Sequence, residues 1–245
     1  MGLGGGQQAA DVWEALQEAV EDDRLAVLFT RMGGDGGAPL LVYPEGEVVG
    51  NWGALTEGAV VEAKEAYAQR RNGVVELAGE AVFVQVLARR DKLIVVGAGH
   101  IAIHLVPFAQ ALDFAVTVID PRRVFADAAR FRVPPDELVD LWPGEALAGR
   151  VLDDDTYAVL LTHDPKIDDE ALGVLLGAGS AVRYIGALGS RKTHARRAER
   201  LQGEGFSEEA IEKIKGLVRL DIGAKSPAEI ALSIMAEVVA VRRDR

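Results

Sequence analysis

The chain of 245 residues contains no cysteine at all. This absence excludes disulfide bonds, a thiolate nucleophile, and zinc or iron–sulfur sites held by cysteine. Any sulfur chemistry in which the protein takes part must therefore use a sulfur atom supplied by a partner.

Basic residues are also scarce relative to acidic ones. The chain has 27 Lys and Arg against 38 Asp and Glu, which gives a formal net charge of −11. Proteins that bind nucleic acid or anionic membranes need a basic face, so this balance argues against both classes of partner. A small local basic pocket remains compatible with the charge.

Targeting and membrane-spanning signals are missing too. Residues 1–13 have no basic segment followed by an apolar core, and Gly6 stands where a myristoylation signal needs Ser or Thr. The most apolar stretch, 93–119, is interrupted by histidines, an aspartate and glycines, so it indicates a strand–helix–strand unit. We expect a cytoplasmic protein.

The first 88 residues predict a small α+β domain. Apolar periodicity and turn signals divide this part into helices and strands, with a hairpin turning at 44–46. The predicted helices are 10–22 and 54–71, and the predicted strands are 25–30, 74–77 and 81–87. The polar residues that follow mark a boundary between 88 and 89.

From residue 89 onward, short apolar strands alternate with helices. The predicted strands are 93–96, 115–119, 137–141, 157–162 and 182–188, and the predicted helices are 100–112, 123–130, 144–149 and 168–176. Two further helices begin at Ser207 and Ser226, the second with a capping box. This alternation is typical of an α/β fold with a doubly wound, Rossmann-like parallel sheet.

The loop after the first of these strands matches the G-x-G-x-x-G/A pattern at residues 97–102. Gly97 permits the turn, Gly99 lets the backbone approach a pyrophosphate, and Ala102 allows close packing of helix on strand. The amides at the helix start favour an anion. A glycine turn without a ligand is the alternative interpretation.

Asp120 ends the next strand, where a carboxylate can accept hydrogen bonds from a ribose. Its charge favours an unphosphorylated ribose over a 2′-phosphate, although Arg122 and Arg123 weaken that preference. Asp120 could equally cap a helix that begins at Pro121.

Three further loops carry polar residues at the same predicted edge of the sheet. Thr162, His163 and Asp164 follow a strand, and with His100 they suggest a metal site, an acid–base pair or simply exposed loop residues. A second glycine loop contains the next set, for which we favour an anion-binding role: Gly186, Gly189, Ser190, Arg191 and Lys192. Asp221 could orient a ligand or form a turn.

Together these loops resemble those of the xanthine dehydrogenase accessory proteins of the XdhC/CoxI type. The matching motifs stand in the expected order over about 90–243. They are V-G-A-G-H at 96–100, D-x-R-x-x-F-A at 120–126 with R-F at 130–131, L-T-H-D at 161–164, Y-I-G-x-x-G-S-R at 184–191, and L-D-I-G-A at 220–224 with S-P-x-E-I-A-x-S-I at 226–234.

The resemblance implies a chaperone that binds molybdopterin or its dinucleotide form and delivers it to an apo molybdenum hydroxylase. It also implies a cysteine desulfurase as a possible sulfur donor and a homodimeric assembly. The family cysteine, expected near 50–57, is missing here. The N-terminal domain is therefore a divergent one.

No catalytic residue and no metal ligand is assigned from the sequence. The implied binding residues are the glycines and polar residues of the loops above: Gly97, Gly99, His100, Asp120, Arg122, Thr162, His163, Asp164, Gly186, Gly189, Ser190, Arg191 and Asp221. A non-catalytic accessory protein is the favoured interpretation. The alternatives are an NAD-dependent oxidoreductase, with His163 and Asp164 as its acid–base candidates, and an NAD-binding sensor.

Overall fold

The computed structural model describes residues 4–22, 24–33, 37–69, 71–87, 90–178, 181–216, 218 and 220–244. The chain divides into two compact units, one up to residue 89 and one over residues 90–244. The predicted boundary between 88 and 89 falls on residues outside the described part of the chain.

The first unit is an antiparallel sheet with two helices. The strand order is β3-β2-β1-β5-β4. Its elements are α1 (Gly4–Glu21), β1 (Ala26–Arg31), β2 (Leu40–Val42), β3 (Val48–Val49), α2 (Leu55–Ala68), β4 (Gly73–Leu77) and β5 (Glu80–Leu87). The predicted α+β composition of this region and the turn at 44–46 are confirmed.

The central strand of this unit is buried on both faces. Because side chains of a strand alternate between faces, Val27 and Phe29 pack with the alanines of α2, while Ala26 and Leu28 pack with Val12 of α1. The two helices therefore cover opposite sides of the sheet.

The second unit is an α/β sandwich built on a six-stranded parallel sheet. Its strands are β6 (Asp91–Val96), β7 (Phe114–Ile119), β8 (Glu137–Val139), β9 (Thr156–Leu160), β10 (Tyr184–Ala187) and β11 (Ile214–Lys215). Its helices are α3 (His100–Ala111), α4 (Pro143–Leu147), α5 (Pro165–Gly177), α6 (Arg191–Gly203), α7 (Glu208–Glu212) and α8 (Pro227–Arg243). The apolar stretch 93–119 is thus a strand–helix–strand unit, as predicted.

The strand order β11-β10-β9-β6-β7-β8 creates a switch point in the sheet. From β6 the chain adds β7 on one side and later β9 on the other, all parallel. Leu93 and Val95 pack in the core beneath α3 and α8, whereas Ile94 and Val96 pack beneath α5. This arrangement confirms the doubly wound, Rossmann-like prediction, and open sheets of this kind bind ligands at such switch points.

The helix predicted over 123–130 is wrong, because only Ala128–Arg130 form a single 3-10 turn. The side chain of Asp127 accepts a hydrogen bond from the Ala129 amide and so starts that turn. The idea that Asp120 caps a helix is therefore also wrong.

The edge strand β11 was not foreseen from the sequence. The helix predicted from Ser207 ends at Glu212, and the next residues pair with β10 as the edge strand. Two residues are too few to produce a strand periodicity. None of the described helices is long and apolar enough to cross a membrane.

Candidate functional site

A cleft of about 550 Å³ opens at the carboxyl edge of the parallel sheet, at the switch point between β6 and β9. We refer to it as the switch-point cleft. It is lined by Gly99, His100, Ile101, Arg122, Phe125, Leu161, Thr162, His163, Asp164 and Pro165. The loops after β6, β7 and β9 all contribute to it, as expected for strands that point the same way.

Gly97 allows two of these loops to pass close together. Its φ is +107°, which favours glycine, and a Cβ there would lie 2.7 Å from Cγ2 of Thr162. Gly97 is therefore required by its contact with the loop after β9.

Gly99 has the opposite surroundings. It precedes α3 with an extended backbone, and a Cβ built on it would meet no atom within 4 Å. No side chain in the described part of the chain caps α3 there, so the first amides of this helix are open to a ligand. This is the geometry expected where a backbone approaches a phosphate.

Asp120 lies directly behind the cleft and is fully buried. Its carboxylate accepts hydrogen bonds from the amides of Ala98 (2.8 Å) and Arg122 (3.0 Å) and from Nε and Nη2 of Arg122 (2.8 Å each). Burial raises the pKa of Asp120, but these hydrogen bonds outweigh burial and hold the pKa below its ordinary value. Since four donors fill the acceptor sites of the carboxylate, a ribose could bind there only if Arg122 moved.

Phe125 forms an aromatic part of the cleft that the sequence motifs did not single out as a binding residue. Its ring lies between two guanidinium groups, 4.4 Å from Arg122 and 5.0 Å from Arg130. Arg130 also donates to the carbonyl oxygens of Ala98 and Phe125, which ties this segment to the glycine loop. The spacing of the arginines around Phe125 in the family motif was the available signal.

Thr162 is held by a buried ion pair. Its hydroxyl donates to Asp168 (2.5 Å), and Asp168 accepts from Arg197 at 3.1 Å. Arg197 also donates to the carbonyl of Leu188. Asp168 and Arg197 are 3% and 1% exposed, and burial raises the pKa of Asp168 against the opposing effects of Thr162 and Arg197. The loops after β9 and β10 are thereby connected.

The two histidines of the cleft, His100 and His163, are exposed, and their rings form no hydrogen bond with another described residue. Asp164 instead caps α5 by accepting from the Lys166 amide. Within the described ranges, no three His, Asp or Glu side chains are grouped to hold a metal ion. The structure thus does not form the metal site considered for His100, His163 and Asp164.

The structure brings together only part of the predicted set. Six of the thirteen residues line the switch-point cleft: Gly99, His100, Arg122, Thr162, His163 and Asp164. Gly97 and Asp120 support it from behind. The remaining five lie outside its lining: Gly186, Gly189, Ser190, Arg191 and Asp221.

Two residues of the second glycine loop have structural roles. Gly186 is buried within β10, where a Cβ would lie 2.3 Å from Cγ2 of Val218. Ser190 caps α6 by accepting a hydrogen bond from the Thr193 amide. Arg191 lines a different cleft beside β11, and Asp221 is exposed.

Three curated proteins are similar to this chain. The uncharacterized protein YqeB of Escherichia coli is 28% identical over 226 residues, covering 84% of this chain and 41% of that protein. The molybdenum cofactor insertion chaperone PaoD of Escherichia coli is 39% identical over 106 residues, covering 43% and 32%. A probable xanthine dehydrogenase component of Bacillus subtilis is 30% identical over 162 residues, covering 66% and 46%. The matches span less than half of each relative's length.

A solved structure shares the fold. The crystal structure of a xanthine dehydrogenase from Bacillus halodurans superposes with a TM-score of 0.72 at 24% sequence identity, covering 96% of this chain and 67% of that one. The family model of the XdhC Rossmann domain matches residues 93–238, which include the whole switch-point cleft. The chain therefore belongs to the XdhC family.

Proposed function

We propose that this protein is a molybdenum cofactor-binding maturation chaperone for xanthine dehydrogenase-type molybdenum hydroxylases. The pterin cofactor, or its dinucleotide form, is the cargo, and it binds in the switch-point cleft. The observation that carries the proposal is the uncapped start of α3 beside the open Gly99. The relative PaoD, a molybdenum cofactor insertion chaperone that is 39% identical over 106 residues, supports the same class of cargo.

The residues of the cleft fit a flat, phosphorylated ligand. The first amides of α3 offer hydrogen bonds to a phosphate or pyrophosphate, and the guanidinium of Arg122 adds positive charge at the rim. The ring of Phe125 offers a surface for stacking, and the two exposed histidines offer hydrogen-bonding groups. None of these roles requires a bond to be broken.

The role proposed is binding and delivery. Because the chain has no thiolate, it supplies neither a sulfur ligand to molybdenum nor a persulfide. A sulfur atom for the cofactor would come from a partner such as a cysteine desulfurase, and the apo molybdenum hydroxylase would receive the loaded cofactor.

Filling the cleft tests the proposal. Gly99 has a negative φ and free space around its Cβ position, so Gly99→Leu adds a side chain into the cleft without backbone strain. We expect the wild-type protein to co-elute with molybdenum cofactor in gel filtration and Gly99→Leu to lose at least about tenfold in affinity. Pterin content is measured by fluorescence after oxidation.

Gly203→Leu is the matched control, because it adds the same side chain at an exposed position near the end of α6. It should bind cofactor like the wild type. Absence of cofactor binding by the folded wild-type protein, or equal binding by Gly99→Leu, would contradict the proposal. Tight binding of NAD instead would favour a nicotinamide-binding protein, even though Asp120 is filled by the chain's own donors.

A further inference from the structure

A second cleft of about 360 Å³ lies beside the edge strand β11. It is lined by Arg191, His194, Ile214, Lys215, Gly216 and Glu237. None of these residues lines the switch-point cleft. We refer to this second cavity as the β11 cleft.

Two cations of the β11 cleft have no acidic partner within the described residues. Arg191 and Lys215 are both exposed and form no ion pair there. Arg197 and Arg200, on the same helix as Arg191, each pair with a carboxylate of α5. In a chain with a net charge of −11, two unpaired cations around one cavity indicate a place for an anion.

The wall between the two cations is fixed by close packing. A Cβ on Gly216 would lie 2.1 Å from Cγ and Nδ1 of His194, so only glycine allows the ring to sit against this backbone. Burial lowers the pKa of His194, and the nearby Arg197 lowers it further. The imidazole is therefore neutral at pH 7 and keeps one donor and one acceptor nitrogen.

Glu237 limits the kind of anion that fits. Its carboxylate accepts a hydrogen bond from the Tyr184 hydroxyl (3.1 Å) and lines the same cleft. A ligand with negative charge along its whole length would be repelled at this end. A ligand with one anionic group and an uncharged organic part meets cations at one end and a hydrogen-bond acceptor at the other.

We propose that the β11 cleft binds the phosphate monoester group of a small organic ligand, with Arg191 and Lys215 holding the phosphate. The group has two possible sources, which are the terminal phosphate of the pterin cargo and a separate phosphorylated metabolite. Only the first source rests on the proposed function. The anion site itself stands on the geometry of the cleft.

The test uses phenyl phosphate as the probe and the full chain as the protein. Binding is measured by calorimetry and by broadening of the ³¹P resonance. Arg191→Met and Lys215→Met should each weaken binding by about tenfold or more, because each removes a charge-assisted contact. Both side chains are exposed, so the fold should persist, which circular dichroism verifies.

Lys192→Met is the matched control, since Lys192 is exposed on the same turn of α6 but does not line the β11 cleft. It should bind phenyl phosphate like the wild type. Equal losses in Lys192→Met and Arg191→Met, or no measurable binding by the wild type, would overturn the site.

Competition with molybdenum cofactor identifies the source of the phosphate. Displacement of phenyl phosphate by the cofactor, abolished in the Arg191→Met, Lys215→Met double variant, assigns the site to the cargo. Simultaneous binding of both assigns it to a separate metabolite. If the cofactor does not bind at all, the proposed function fails, while the phenyl phosphate titration still decides the β11 cleft.

Discussion

At the scale of single residues, the carboxylate of Asp120 joins the glycine loop to the loop after β7. It does so while completely buried, through the Ala98 amide and the backbone and side chain of Arg122. Its charge is therefore part of what keeps the rear wall of the switch-point cleft in place.

The lowered pKa of Asp120 makes a prediction about pH. Because the folded pKa lies below the ordinary value of 3.8, the unfolded chain binds this proton more readily, and the stabilisation is complete only above that value. It is lost as the pH falls through the folded pKa. Asp120→Asn should lower the free energy of unfolding by about 1–3 kcal/mol at pH 7 and lose less than the wild type between pH 6 and pH 3.

Urea denaturation at a series of pH values measures both quantities. Asp140→Asn is the control, because its ion pair with Arg123 joins side chains that are 52% and 88% exposed. It should change stability little at any pH. A parallel pH dependence of wild type and Asp120→Asn would contradict the prediction.

The position of Asp120 beside the glycine loop was predictable, but its partner was not. A carboxylate at the end of the strand after G-x-G-x-x-A has one location in this fold. Whether its oxygens face a ligand or Arg122 depends on the path of residues 121–127, which form no regular element and carry no periodic signal.

At the scale of elements, α5 and α6 are joined by two ion pairs with different surroundings. The Asp168–Arg197 pair is buried, whereas the Asp169–Arg200 pair has side chains that are 13% and 38% exposed. The buried pair reaches Thr162 and the Leu188 carbonyl, so it connects the packing of two helices to the loops above them.

Arg197→Met should therefore be strongly destabilising. It leaves Asp168 as a buried carboxyl without its cation, which typically costs about 3–5 kcal/mol in the free energy of unfolding. Arg200→Met, on the same helix, should cost about 1 kcal/mol or less. Urea denaturation of the two variants checks this difference, and similar losses in both would contradict it.

Replacing both members of the buried pair gives a second check. Nε and Nη1 of Arg197 are buried without a hydrogen-bond partner among the described residues, so the wild type already carries that cost. Asp168→Leu combined with Arg197→Met should recover part of the stability that Arg197→Met loses.

Long periodic elements were predictable from sequence, whereas short ones were not. The alternation of apolar strands and helices after residue 90 predicted β6, α3 and β7 because each has enough residues to show a period. The edge strand β11 has two residues, and it exists because β10 offers it hydrogen bonds. Without β11, sequence reasoning could not place Lys215 beside Arg191.

At the scale of the whole molecule, every residue that lines the switch-point cleft belongs to the second unit. The two core clusters of this unit also lie within residues 90–244 and cover both faces of its own sheet. We propose that this unit is an independent domain.

A fragment starting at residue 90 should therefore fold and keep the binding properties of the full chain. We expect a cooperative thermal transition and an affinity for molybdenum cofactor within about threefold of the full chain, measured by calorimetry. The Gly99→Leu fragment is the control for specific binding. A fragment that folds but does not bind cofactor, when the full chain does, would show that the first unit takes part in the site.

The alternation of elements and the order of the motifs were enough to predict the doubly wound sheet and the family. The division of the thirteen candidate residues between two clefts was not predictable, because it depends on which strand lies beside which. Loops that follow β6 and β9 meet at the switch point, while the loop after β10 turns toward β11.

The two glycines of the β6–α3 loop differ in what a change at each would reveal. Gly97 answers to a neighbour inside the chain, so it would be retained even in a descendant that had lost its cargo. Gly99 answers to nothing inside the chain, and its side-chain space is free to drift once no ligand occupies it. In a lineage that has already given up the family cysteine, the residue at position 99 is thus a record of whether binding is still under selection.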